Sequence, residues 1–387
     1  MSRFLLVVPP LTGHVNPLLG VAAELRRRGH RTAWACPHPA PAELAGEPVV
    51  YPTGEAEAFA VERRPPGLRG FAALRFLWEH YLIPLADAMV DGVEAAVADF
   101  APDALVVDQQ AFAGALVATR AGLPWATSAS TSAELSDPLG SMSKVAGWIE
   151  QLQDDLRARH GLGASAGRDF RFSPRLVITF STEALAGPPA VELDGQLRYV
   201  GPSLTDRSDV DWEPLATVKP LALVTLGTAN ADVSGRFLTA CVQALGKLAT
   251  DVQGVVADPA GLLTGSAPPG VLVARRIPQL QLIRRAALVV CHGGHNTVCE
   301  SLWYGVPLVV APIRDDQPVL AQQVLDAGVG RRLRFDRATA QDIGEAVLGV
   351  LREPDYAARA REIGTSFQRA GGALAAARHL ESLTTGG

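Results

Sequence analysis

The chain has 387 residues, 48% hydrophobic and 19% charged, a globular composition of two-domain length. With 35 Lys and Arg against 40 Asp and Glu, the formal net charge is −5, which argues against a nucleic-acid binder held by a basic face. Apolar runs fall short of the roughly 20 residues of a membrane span, and Cys36, Cys241, Cys291 and Cys299 form no CxxC pair, so neither a disulfide framework nor a zinc site is indicated.

The first element is the continuous apolar run Phe4-Leu5-Leu6-Val7-Val8, as expected of a strand covered on both faces in a parallel sheet. It is too short for a signal peptide and lacks the small-residue cleavage site, so the expected location is the cytoplasm. Pro9 to His14 break the strand. Val15 to Arg28 then carry Leu18, Val21, Ala22 and Leu25 at helical spacing, with a stop at Gly29. Thr32 to Cys36 read as a second strand. The region Glu55 to Glu94 is irregular and holds Phe59, Phe71, Phe76, Trp78 and Tyr81. Ala104 to Val107 form a buried strand ending in Asp108, followed by a helix to Gly122 and a strand near Trp125. Glu134 to Asp169 carry little pattern and suggest a variable lobe.

Gly201 to Pro220, polar and rich in Pro, Asp and Ser, reads as a linker. Its Asp209-Val210-Asp211 triplet has the form of a metal-holding DxD but sits away from any strand end, as solvated charge. The alternation restarts at Leu221–Leu226, with Gly227-Thr228 as a turn and a helix to about Ala249. Val252–Val256, Val271–Val273, Leu288–Cys291 and Pro307–Val310 supply further strands. The prediction is α/β: a domain over 1–205, a linker over 206–220 and a second domain over 221–369, with a C-terminal helix over about 370–387 packing back on the first. Two such doubly wound sheets facing each other would place their carboxyl ends around one cleft, where open α/β sheets bind ligands.

Chemistry concentrates between Arg276 and Gln317. His292-Gly293-Gly294 lies where a strand ends and a helix begins. Glycines admit a ligand to the backbone there, and a helix N-terminus presents N–H groups to an anion. Asn296 and Thr297 add side-chain donors, so the segment suits a phosphate or diphosphate. In the first half, His14 lies at a helix start, whose positive end disfavours imidazolium and keeps the ring ready to accept a proton. Asp108 ends a strand that can lie beside the first. An aspartate accepting Nδ1–H fixes the tautomer and stabilises the imidazolium as it forms. Taken alone, Gly13-His14 also fits a plain helix start, and Asp108 a structural N-cap.

Together, Arg276-Ile277-Pro278-Gln279, the run His292 to Ser301, Gly305-Val306-Pro307 and Arg314-Asp315-Asp316-Gln317 closely resemble the nucleotide-sugar signature of the family 1 glycosyltransferases of GT-B fold. The likeness is to the bacterial macrolide and natural-product branch, and it spans essentially the whole chain. Thr12-Gly13-His14-Val15-Asn16-Pro17 matches that family's N-terminal motif. The resemblance implies that Gln279 contacts the nucleotide base, His292 and Thr228 the diphosphate, Glu300 the ribose hydroxyls, and Asp316 with Gln317 the donor sugar. Gly13, Ile277, Gly293 and Gly294 join these as expected donor contacts. Arg276 stands where the family often stacks Trp on the base, a role an arginine plane also fills. Arg314 stands where plant relatives often carry Trp, and Leu320 where Asn is frequent.

What the resemblance implies is an inverting glycosyltransferase that moves a sugar from a UDP- or dTDP-sugar to a hydroxyl of an apolar small molecule. His14 serves as general base and Asp108 orients it. The nucleotide sugar is a co-substrate, and neither a cofactor nor a metal is required. Phe71, Trp78, Phe112, Met142 and Trp148 are acceptor-pocket candidates as well as candidates for ordinary core. Homodimerisation is compatible with the likeness. The alternatives are a catalytically silent nucleotide-sugar-binding partner of another transferase and a nucleotide-sugar epimerase of the same fold. A nicotinamide oxidoreductase is disfavoured because no G-x-G-x-x-G follows the first strand.

Overall fold

The computed structural model describes residues 1–60, 64–65, 67–68, 70–163, 169–193, 195–205, 212, 219–227 and 233–385. The Asp209–Asp211 triplet, most of the linker and Thr228 lie outside them. The chain forms two compact units. One comprises Met1–Thr182, Pro188–Thr205 and Ala370–Gly387, the other Glu183–Gly187 and Asp206–Arg369. No described helix is long and apolar enough to cross a membrane.

The first unit is built on β1 (Arg3–Val7), β2 (Arg31–His38), β3 (Val50–Glu55), β4 (Ala104–Asp108), β5 (Trp125–Ala129), β6 (Val177–Thr179) and β7 (Leu197–Tyr199). All pair in parallel, in the order β3-β2-β1-β4-β5-β6-β7. Residues β1 and β4 contribute alternate to opposite cores, as a strand buried on both faces must. Leu5, Val7, Leu105 and Val107 join Leu85, Met89 and Leu116 in one, while Phe4, Leu6, Ala104 and Val106 join Leu18, Val21 and Leu25 in the other. The second core also takes Ala376, Ala377 and Leu380 of the C-terminal helix Gly372–Thr385, which packs on helix Thr12–Arg27. Arg28 and His30 fasten that helix by hydrogen bonds of 2.8 Å each to Glu381.

Two segments without clear sequence pattern are ordered. Gly70–Phe76 and Ile83–Phe100 are helices joined by a π-turn over Leu77–Leu82. Ser143–Arg159 is a 17-residue helix. Its buried face includes Gln153, whose Oε1 accepts from Phe170 N at 2.8 Å, and Arg157, whose guanidinium lies 4.3 Å from the centre of the Phe170 ring. Polar residues on the inward face hide the apolar period that marks an amphipathic helix.

The second unit contains β8 (Leu221–Thr225), β9 (Gln253–Ala257), β10 (Val271–Ala274), β11 (Ala286–Cys291), β12 (Leu308–Val310) and β13 (Gly330–Arg332), again all parallel. Their order is β10-β9-β8-β11-β12-β13. Glu183–Gly187, placed by the sequence reading in the first domain, belongs here instead. Leu185 is buried with Leu221, Leu223 and Leu308, and Gln323 Nε2 donates to Ala186 O at 3.4 Å. Burying one leucine is worth about 2 kcal/mol, enough to commit so short a helix.

In each sheet the order reverses beside the first strand, between β1 and β4 and again between β8 and β11. Crevices at such switch points lie outside the carboxyl ends of the strands, where α/β proteins hold ligands.

Candidate active site

His14 and Asp108 occupy the switch point of the first unit. β1 ends at Val7, and His14 follows in the first turn of helix Thr12–Arg27; β4, paired directly with β1, ends at Asp108. His14 Nδ1 stands 2.9 Å from Asp108 Oδ1 and 2.8 Å from Ser130 Oγ. Asp108 is fully buried, while the His14 side chain keeps 16% of its surface. Asp108 Oδ1 also accepts from Gln110 N–H at 2.9 Å, so the same oxygen shapes the following turn and meets the imidazole. The N-cap of the next helix is Ala111, without a side-chain cap; Asp108 is therefore no N-cap. Against a carboxylate, which only accepts, His14 Nδ1 is the donor and Nε2 is left as the accepting nitrogen. Burial and the Asp108 charge push the nearby Tyr81 phenol well above its usual range, keeping it protonated. Ser130 was not singled out from sequence. Its signal is a hydroxyl just past the carboxyl end of β5, the strand paired with β4.

The acceptor-pocket candidates separate. Trp78 and Phe112, 2% and 0% exposed, pack against each other in the core and present no surface to a ligand. Phe71 is 56% exposed and pairs with half-buried Trp148 at 5.7 Å between ring centres. Met142 is exposed at the start of helix Ser143–Arg159.

The diphosphate candidates occupy the switch point of the second unit. β11 ends at Cys291, and His292-Gly293-Gly294 leads into helix His295–Trp303. Gly293 has φ +83° and Gly227, after β8, φ +69°, a region open to glycine at little cost. A side chain at Gly227 would meet His292 Cε1 at 3.0 Å, and one at Gly294 would run into His292 Nε2. The two glycines cradle the imidazole. Burial, and secondarily the Arg314 cation, hold His292 down to about 4, so near neutral pH the ring offers an N–H rather than a charge. Gly294 caps the helix without a side chain, and the dipole directs positive potential at this loop. Asn296 and Thr297 lie in the first turn. His295 is buried, its Nε2 3.5 Å from Cys299 Sγ.

The nucleoside candidates are joined to one another. Gln279 Nε2 donates to Glu300 Oε2 at 2.7 Å, and Thr225 Oγ1 donates to Gln279 Oε1 at 3.2 Å. Glu300 is 2% exposed. Ile277 packs against the core and Arg276 is exposed. Gln317 turns inward: its Oε1 accepts from the backbone N–H of Ile313 and Arg314 at 2.9 and 3.1 Å, closing the loop in which Asp315 takes φ +58°. That leaves its amide nitrogen to donate. Asp316 is half-buried at the N-cap of helix Gln317–Asp326, and Leu320 is fully buried.

Residues 240–369 match the family described as the erythromycin biosynthesis protein CIII-like C-terminal domain. The chain is 30% identical to 4'-demethylrebeccamycin synthase of Lentzea aerocolonigenes, over 93% of this chain and 95% of that protein. It is also 30% identical to oleandomycin glycosyltransferase of Streptomyces antibioticus, over 96% and 88%. Among solved structures, the glycotransferase of kitacinnamycin superposes with a TM-score of 0.82 at 25% identity, covering 99% of this chain and 98% of that one.

Proposed function

Because this chain belongs to the GT-B glycosyltransferases of natural-product pathways, we propose that it transfers a sugar, with inversion, from a UDP- or dTDP-sugar to a hydroxyl of an apolar natural product. The observation that carries this reading is the His14–Asp108 hydrogen bond of 2.9 Å at the end of two adjacent strands. His14 Nε2 takes the proton of the acceptor hydroxyl as its oxygen attacks the anomeric carbon from the face opposite the diphosphate. The bond from that carbon to the diphosphate oxygen breaks, and its electron pair leaves with the diphosphate. The proton ends on His14 as an imidazolium facing the Asp108 carboxylate.

The departing charge is met by the N-terminus of helix His295–Trp303 and by a hydrogen bond from His292, a preorganised electrostatic environment. In this reading Glu300 receives the ribose, Gln279 lies beside the base, and Asp316 with the Gln317 amide nitrogen holds the donor sugar. Phe71, Trp148 and Met142 offer the acceptor an apolar surface. No step calls on a metal.

The test is incubation of the protein with α-linked UDP- and dTDP-glucose and a panel of phenolic and macrolide alcohols in EDTA, with the product's anomeric coupling read by NMR. A β-linked product is expected. An α-linked product overturns inversion, and activity that returns only with added magnesium overturns metal independence. An epimerised donor without any acceptor product replaces transfer by epimerisation.

A further inference from the structure

Thr225 is the last residue of β8, 4% exposed, and pairs in register with Cys291, the residue before His292. Its hydroxyl donates to Gln279 Oε1, and the other end of that amide donates to Glu300. The order of these bonds allows one orientation of the amide. A carboxylate only accepts, so the Gln279 nitrogen must face Glu300; turning the amide over would set its oxygen against the carboxylate. Thr225 then donates to the oxygen and anchors the far end of the amide in that orientation. Gln279 opens a helix of only five residues, Gln279–Ile283, with no side-chain cap before it, so its own backbone does little to fix the side chain.

We propose that Thr225 is a positioning residue for the nucleoside. Acting through Gln279, it anchors the amide that Glu300 orients, and so fixes the place of both groups before a nucleoside diphosphate arrives. This rests on the reading of Gln279 and Glu300 as nucleoside contacts. Preorganisation of this kind shows in affinity, because the groups are already aimed when the ligand binds.

The experiment titrates UDP and dTDP into wild type, Thr225→Val, Thr225→Ser, Gln279→Ala and the Thr225→Val/Gln279→Ala double variant by calorimetry, and measures donor KM and kcat on each. Valine keeps the shape of threonine and removes the donor. The expected result is a rise in Kd and donor KM of about tenfold for Thr225→Val, the effect of one lost buried hydrogen bond, with a much smaller change in kcat. Serine should restore the affinity. In the Gln279→Ala background the valine substitution should add nothing, since its route is gone. Unchanged affinity in Thr225→Val overturns the proposal, as does a loss of equal size in the Gln279→Ala background. If the valine chain does not fold, Thr225→Ala carries the same test. Wild type that binds neither nucleotide overturns the nucleoside assignment itself, and this inference with it.

Discussion

His14 Nδ1 lies 2.9 Å from a carboxylate oxygen of Asp108, 94 residues away in the chain and fully buried. The contact follows from topology: β1 and β4 are direct neighbours, so residues just beyond their carboxyl ends share one crevice. Because Oδ1 also accepts from Gln110 N–H, Asp108→Asn should keep its oxygen there and preserve the His14 tautomer. What it loses is the negative charge that, in the proposed mechanism, stabilises the imidazolium. We expect kcat to fall about 100-fold, at the lower end of general-base contributions, with nucleotide affinity unchanged. Steady-state kinetics beside calorimetry checks this, and wild-type kcat would show that the Asp108 charge plays no part in turnover.

Ser130 Oγ is the second group at Nδ1, at 2.8 Å. Lacking a formal charge, it should matter less than Asp108. Ser130→Ala is expected to lower kcat by less than about tenfold, the scale of one neutral hydrogen bond. A loss as deep as that of Asp108→Asn would show that the hydroxyl, rather than the carboxylate, governs the ring.

His292, the proposed diphosphate contact, also bears on stability. Its folded value is about 4, against 6.5 for an ordinary imidazole. The folded chain therefore resists protonating it, and the stabilisation is fully present above pH 6.5 and lost as pH falls toward 4. The difference in melting temperature between wild type and His292→Gln should narrow over that interval. A difference independent of pH would mean that His292 titrates normally.

The C-terminal helix is held by a charge cluster that depends on pH in the same direction, over a more acid range. Hydrogen bonding to Arg28, joined by His30, holds Glu381 down to about 2, below its ordinary 4.5, so its contribution is present above pH 4.5 and lost as pH falls toward 2. The contact is partly exposed and worth about 1 kcal/mol at most. Glu381→Gln should speed amide exchange in Gly372–Thr385 up to about fivefold at neutral pH, the same energy expressed as a ratio. Unchanged exchange would assign the docking to Ala376, Ala377 and Leu380 alone.

Alternating apolar runs and helical spacings in the sequence are enough to predict two parallel α/β sheets, and the ends of β1 and β4 bring His14 toward Asp108. Other features escape such reading for particular reasons. Helix Ser143–Arg159 buries Gln153 and Arg157, so its inward face does not look apolar. Strands β7 and β13 carry Arg198 and Arg331-Arg332, so they lack the apolar run that marks the equally short β12. The chain Thr225–Gln279–Glu300 depends on the direction of one amide, which residue spacing does not encode. Trp78 and Phe112 illustrate the same limit: an aromatic residue reads alike whether it lines a pocket or, as here, fills a core.

In the proposed mechanism His14 performs the proton transfer while separate residues hold the nucleotide, and His14→Ala separates the two roles. Turnover and nucleotide affinity would be measured on the same preparation. Turnover should fall about 100- to 10,000-fold, with UDP or dTDP affinity within about twofold of wild type, under about 0.5 kcal/mol. A variant that turns over at the wild-type rate would contradict that mechanism.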